Sequence, residues 1–134
     1  MHSKRNPSKI INKINTFFLW QGPWVLYCLF IFYLSSIPNP PDIYTFPLSD
    51  KIKHAFLYLF LALLTLRAFR KWSGDFSSRY YFIWAIFFCV LYGASDEWHQ
   101  SFVANRDSNV MDWVADVIGT SIGGTIYWFH NKKK

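Results

Sequence analysis

From Phe17 to Leu34 the chain runs without a charged side chain, and three further apolar segments follow it, set apart by proline-rich, basic or acidic connections. A chain of 134 residues is one domain at most, and 52% hydrophobic with 22% aromatic content is heavy for a soluble protein of that size. Four membrane helices are the expectation. A mean hydropathy of only +0.10 agrees with this, because short basic ends and polar connections dilute the apolar runs.

The net charge of +6 invites a nucleic-acid reading, but the positions of the charges argue against one. Lys4, Arg5, Lys9, Lys13, Arg67, Arg70, Lys71, Arg79 and Lys132 to Lys134 all flank apolar segments, where basic residues set membrane orientation. No RNA-binding or helix-turn-helix signature accompanies them, so no nucleic-acid partner is assigned. Cys28 and Cys89 stand alone in apolar runs and read as core residues, with neither a CxxC nor zinc-site spacing. The basic start followed by an apolar run could be a signal sequence. The run is long for that role, however, and SSIPNPPD offers no small-residue cleavage site, so a retained membrane helix is expected.

In chain order, residues 1–16 form a polar, basic, exposed tail, and the first predicted helix spans Phe17 to Leu34 with Pro23 tolerated in its first turns. Ser35 to Ser49 holds Pro38, Pro40, Pro41 and Pro47 and reads as a stiff, partly extended loop. Ser49 then caps a second helix from Asp50 to Phe69. A third is expected from Tyr80 into Trp98 and a fourth from Val110 to Phe129, with a basic tail over 130–134. The fold class is therefore all-α, an integral membrane four-helix bundle. Basic residues crowd the N-terminus, the second connection and the C-terminus, which places both termini in the cytoplasm. Seven of the eight acids then fall on the outer side, Asp75 being the exception.

The polar stretch LYGASDEWHQSFVANRDSNVMDWVAD, residues 91–116, lies between the last two helices. Asp96, Glu97 and Gln100 are three and four residues apart and share one broad helix face, with Gly93 a turn earlier. Asp112 and Asp116 stack in the same way on the next helix, and Arg106 and Asp107 lie in the connection. On the second helix Asp50, His54 and Tyr58 recur every four residues, and Lys51 reaches His54 at three. At about 1.5 Å of rise per residue, Arg67 to Asp50 and Arg79 to Asp96 each span about 25 Å, and Lys132 to Asp116 about 24 Å. These acids therefore reach similar depths near the outer edge of a hydrocarbon core about 30 Å thick. Ionisable groups there should face one another or water, which implies an outward polar pocket between the second, third and fourth helices.

For acid–base chemistry the candidates are His54, Asp96 and Glu97, since a histidine beside a carboxylate can be oriented and titrated near neutral pH. Asp50, Lys51, Tyr58, Gln100, Arg106, Asp112 and Asp116 are the candidate binding residues. Four of them have a plainer role open to them: packing for Tyr58, helix-terminus complementation for Asp50 and Asp112, and snorkelling to lipid phosphates for Arg106, whereas Asp116 lies a full turn deeper than a helix-terminus role explains. Gly119 and Gly123 read as a close-packing pair. His99 is outside the main polar face and interfacial, while His2 and His130 belong to the tails.

Taken in order, Ser36-Ile37-Pro38, Asp50-Lys51-x-x-His54 with Tyr58, Asp96-Glu97-x-x-Gln100-x-Phe102, Arg106, and Asp112 followed by Gly119 and Gly123 resemble the VanZ-like family. Its members are small bacterial membrane proteins named after one linked to teicoplanin resistance. Asp116 departs from the asparagine that the family pattern often carries, which bears on any role requiring a neutral amide there. The resemblance covers most of the chain and implies a VanZ-like domain over residues 17–129, a multi-pass location in the bacterial cytoplasmic membrane, and an envelope role. It implies no settled reaction.

Two function classes remain. One is a binding module for an anionic envelope lipid headgroup or cell-wall precursor that alters glycopeptide (teicoplanin) susceptibility, resting on Arg106 and Lys51. The other is a membrane-embedded hydrolase or transferase acting on a lipid-linked phosphate or ester, with Glu97 or Asp96 as acid–base group and His54 as partner. The lipid-phosphatase, GxSxG and HExxH motifs are missing from the sequence. A metal site of His54, Glu97 and Asp112 is an alternative that ligand preferences permit, but no metal or cofactor is assigned. Transport is a weaker third possibility, and oligomeric state is left open.

Overall fold

The computed structural model describes residues 7–38, 48–73 and 78–132. Among them are five α-helices and no strand: α1 (Pro7–Trp20), α2 (Gly22–Ser35), α3 (Ser49–Ser73), α4 (Ser78–Gln100) and α5 (Val110–Lys132). The all-α expectation holds. The expected single helix over 17–34 is instead two, because helix already begins at Pro7 and the chain bends by 45° at Gln21. Pro23 sits in the first turn of α2, directly after this break. It has no N–H to offer the carbonyl of Leu19, four residues back, and its ring crowds that carbonyl. The freed Leu19 oxygen accepts a hydrogen bond from Arg67 Nη2 at 3.0 Å, and the Arg67 guanidinium lies 4.5 Å from the centre of the Trp20 ring. A proline break in the first segment is thereby fixed to the basic end of α3.

The other helices run a few residues past their expected ends, α3 to Ser73, α4 from Ser78 to Gln100 and α5 to Lys132. Ser49, read as a cap, is already the first residue of α3, and the Ile52 N–H donates to Leu48 O at 3.0 Å. The proline-rich connection falls mainly on residues 39–47, outside the described residues.

The outer surface is as apolar as the core. The centre holds small and polar residues such as Ala62, Ala68, Ala85, Thr65, Gly119 and Gly123, while Phe56, Phe60, Ile83, Trp84, Phe87, Ile118, Ile122 and Phe129 point outward. α3 and α5 form the closest pair: a Cβ at Gly119 would lie 2.0 Å from the Ala55 carbonyl oxygen, and one at Gly123 2.5 Å from that of Leu59. Only glycine lets these backbones approach so closely, so the pair does act as packing residues. α2 joins through Tyr27, whose hydroxyl donates to Leu57 O at 3.1 Å, and α4 returns a bond to α2 from the Tyr92 hydroxyl to Cys28 O at 2.6 Å. Ile31, Tyr58, Leu61, Ala62 and buried Cys89 form the apolar core, with half-buried Cys28 against it. By length and apolar composition, Ser49–Trp72 qualifies as a membrane-crossing helix, as does the bent pair of Ile14–Trp20 and Gly22–Ser35 taken together.

Candidate functional site

Charge is segregated to the two ends of the α3–α5 pair. At one end Arg70 of α3 bonds Asn131 of α5, within a cleft of about 660 Å³ that also includes Arg67, Lys71 and His130. At the other end, Lys51 of α3 forms an ion pair with Asp112 of α5 and lies 3.8 Å from Asp50. Asp112 is buried, so the ammonium compensates a carboxylate that water barely reaches.

One turn inward, His54 Nδ1 is 3.0 Å from Asp116 Oδ1, and Glu97 Oε1 of α4 is 3.9 Å from the same nitrogen. All three residues are buried, Asp116 completely. The four-residue spacings produce this directly. Lys51 and His54 lie on one face of α3, Asp112 and Asp116 on one face of α5, and the Gly119–Ala55 contact brings those faces together. Gly93 on α4 gives the same room from the third side, since a Cβ there would lie 3.0 Å from Asp116 Oδ2.

Glu97 is anchored through its other oxygen: Oε2 accepts the Asn109 N–H at 3.0 Å. The Asn109 side chain in turn accepts the Met111 N–H at 2.9 Å, capping α5. A single residue therefore starts α5 and aims the carboxylate of α4. Sequence reasoning passed over Asn109, although an asparagine just before Val110 with an acid three residues on is a recognisable helix-start signal.

The remaining candidates divide. Gln100 Nε2 donates to buried Asp96 Oδ2 at 3.1 Å, and half-buried Arg106 lies within electrostatic range of that carboxylate. Asp96 also borders a groove of about 450 Å³ formed by α2 and α4, whose other walls include Phe32, Tyr92, Trp98 and Phe102. Asp50 is exposed at the rim. Tyr58 is buried in the apolar core, and its hydroxyl has no hydrogen-bond partner among the described residues. His99 is outside the acid–imidazole centre, as expected. It stacks on Phe32 and shares a 3.0 Å hydrogen bond with Ser36 Oγ.

These features define an all-helical protein with a membrane-capable helix and a buried acid–imidazole centre at one end of its bundle. The sequence model of the VanZ/LLP1 family matches residues 11–131, and the chain belongs to that family. The family is one of membrane-associated proteins, in keeping with the length and hydropathy of α3. No curated protein and no solved structure matches the chain.

Proposed function

We propose that the chain is a multi-pass protein of the bacterial cytoplasmic membrane, with both termini inside, whose outer polar centre carries out acid–base chemistry on the headgroup of an envelope lipid or lipid-linked cell-wall precursor. The domain is the VanZ-like region, 17–129, which α1 enters from Pro7. Support for the membrane placement comes from the apolar exterior and from the segregation of Arg67, Arg70, Lys71 and Lys132 away from Asp96, Glu97, Asp112 and Asp116. α1 fits the inner interface, with Ile11, Ile14, Phe17 and Phe18 exposed and Lys9 and Lys13 close to them in sequence.

The observation that carries the acid–base assignment is the buried contact between His54 Nδ1 and Asp116 Oδ1 with Glu97 beside it. A carboxylate on Nδ1 fixes the ring and leaves Nε2 to exchange a proton, while Glu97 supplies a second proton carrier. Asp50, Lys51, Tyr58, Gln100, Arg106 and Asp112 complete the lining. The groove of Phe32, Tyr92, Trp98 and Phe102 beside Asp96 suits the apolar part of a lipid. The binding-module alternative draws on Arg106, which is near Asp96 and available to a phosphate. It loses one of its two supports, because Lys51 is held by Asp112. An effect on teicoplanin susceptibility would follow from either route.

The test is mass spectrometry of envelope lipids and precursors from cells making the native chain or Glu97→Gln at matched membrane abundance. A species present only with the native chain is the expected result. Identical lipid profiles, with the same intact lipid co-purifying with both proteins, would replace the enzyme by the binding module.

A further inference from the structure

We infer that His54, Glu97 and Asp116 form a site for one divalent transition-metal ion of the zinc or manganese type. The ligand atoms these three residues offer lie within 4.8 Å of one another. His54 Nδ1 is 3.0 Å from Asp116 Oδ1 and 3.9 Å from Glu97 Oε1. Nitrogen and oxygen ligands about 2.0–2.2 Å from a tetrahedral ion stand roughly 3.3–3.6 Å apart. All three separations are within 4.8 Å, so side-chain rotation brings the set onto one ion, which would take the place of the proton that His54 Nδ1 shares with Asp116 and leave Nε2 as before.

A second observation is independent of that spacing. Glu97 Oε1 and Asp116 Oδ2 are buried without a hydrogen-bond partner among the described residues, in residues only 7% and 0% exposed. Buried carboxylate oxygens are costly to leave unsatisfied, and a cation bound by these two carboxylates offsets the cost. The charges point the same way. Two carboxylates share one imidazole, since Lys51, the nearest ammonium, is engaged by Asp112. The Asn109 N–H on Glu97 Oε2 leaves Oε1 turned toward His54, the kind of outer contact that orients a metal ligand.

A second trio, Asp50, His54 and Asp112, also lies within metal-ligand reach. It is the weaker candidate, because the side chain of Asp50 is 60% exposed and Asp112 is already neutralised by Lys51. One imidazole with two carboxylates suits zinc or manganese better than calcium or magnesium, which favour all-oxygen shells, or copper(I), which favours sulfur. With three protein ligands, a fourth position is left for water or a headgroup oxygen, as in catalytic rather than structural sites.

Full-length protein in detergent micelles is stripped with a chelator, dialysed, and reloaded separately with Zn²⁺ and Mn²⁺. Bound metal is counted by plasma mass spectrometry and affinity measured by titration calorimetry, with circular dichroism as the check on folding. One ion per chain is expected, with affinity falling about tenfold or more in Glu97→Gln and Asp116→Asn and unchanged in His130→Gln, at the opposite end of the bundle. X-ray absorption at the zinc edge should report nitrogen and oxygen donors and no sulfur. A folded native chain that takes up neither ion would overturn the site, as would equal affinity in native and Glu97→Gln protein, or loss of binding in Asp50→Asn alone. Metal is counted without substrate, so such a result leaves the headgroup proposal standing, and a failed lipid experiment leaves the metal site standing.

Discussion

Replacing Gly119 by alanine should separate α3 from α5 and dismantle the polar centre from a distance. The added Cβ would lie 2.0 Å from the carbonyl oxygen of Ala55, and backbone cannot yield as a side-chain tip can. Restoring even a 3.0 Å contact moves the helices apart by about 1 Å, enough to stretch the 3.0 Å His54–Asp116 bond beyond hydrogen-bonding range. Overpacking of this kind costs about 1–3 kcal/mol, and a lost hydrogen bond to a charged group about 1.5–3 kcal/mol. At a few degrees per kcal/mol, the melting temperature should fall by on the order of 10 °C.

Gly119, Gly123, Gly124 and Gly22 form a graded series for thermal melts in one detergent. Gly123→Ala, at 2.5 Å from Leu59 O, should rank second. Gly124→Ala meets the side-chain tips of Ile86 at 2.9 Å and Phe82 at 3.5 Å and should lose little, and Gly22→Ala, with nothing within 4 Å, should lose nothing. If Gly119→Ala melted with Gly22→Ala, the α3–α5 contact would not be what holds the centre together.

Three further outcomes follow from single contacts. Lys51→Met leaves Asp112 buried without its ammonium and should destabilise by about 1–3 kcal/mol, discounted for the partial exposure of Lys51; adding Asp112→Asn should recover most of the loss in the same melt. Asn109→Ala removes the α5 cap and should cost about 1 kcal/mol, yet it keeps the backbone N–H on Glu97, so metal affinity should stay near native in calorimetry. His99→Phe gives up the Ser36 bond but keeps a ring against Phe32; lipid profiles should match those of native cells, whereas a profile like that of Glu97→Gln would bring His99 into the chemistry.

The polar centre was legible in the sequence to the extent that it depends on helical spacing. Asp50, His54 and Tyr58 at intervals of four, Asp112 and Asp116 at four, and the Gly119–Gly123 pair all describe faces, and the faces are where the spacing puts them. The pairing across those faces was not legible. His54 is near Asp50 on its own helix but hydrogen-bonds the Asp116 carboxylate, because register between α3 and α5 is set by backbone contact at Ala55 and Gly119. Tyr58 follows His54 by one turn, and that turn is enough to carry it into the apolar core.

At the N-terminal end, polar residues such as Asn12 and Asn15 obscured a helical signal that Ile11, Ile14, Phe17 and Phe18 carry at three- and four-residue spacing. Once helix extends back to Pro7, Pro23 is interior and must break it. Which cation answers the exposed Leu19 carbonyl depends on tertiary packing, and Arg67 was read only as a marker of membrane orientation.

The most direct measurement is turnover by purified protein in vesicles of lipid extracted from bacterial envelopes, followed over time by mass spectrometry. Native protein should convert one headgroup class at a rate proportional to the amount of protein, and His54→Gln and Glu97→Gln, folded by circular dichroism, should not. Every headgroup remaining intact with native protein, while one lipid is retained equally by all three proteins, would contradict an acid–base centre and leave a protein that binds without reacting.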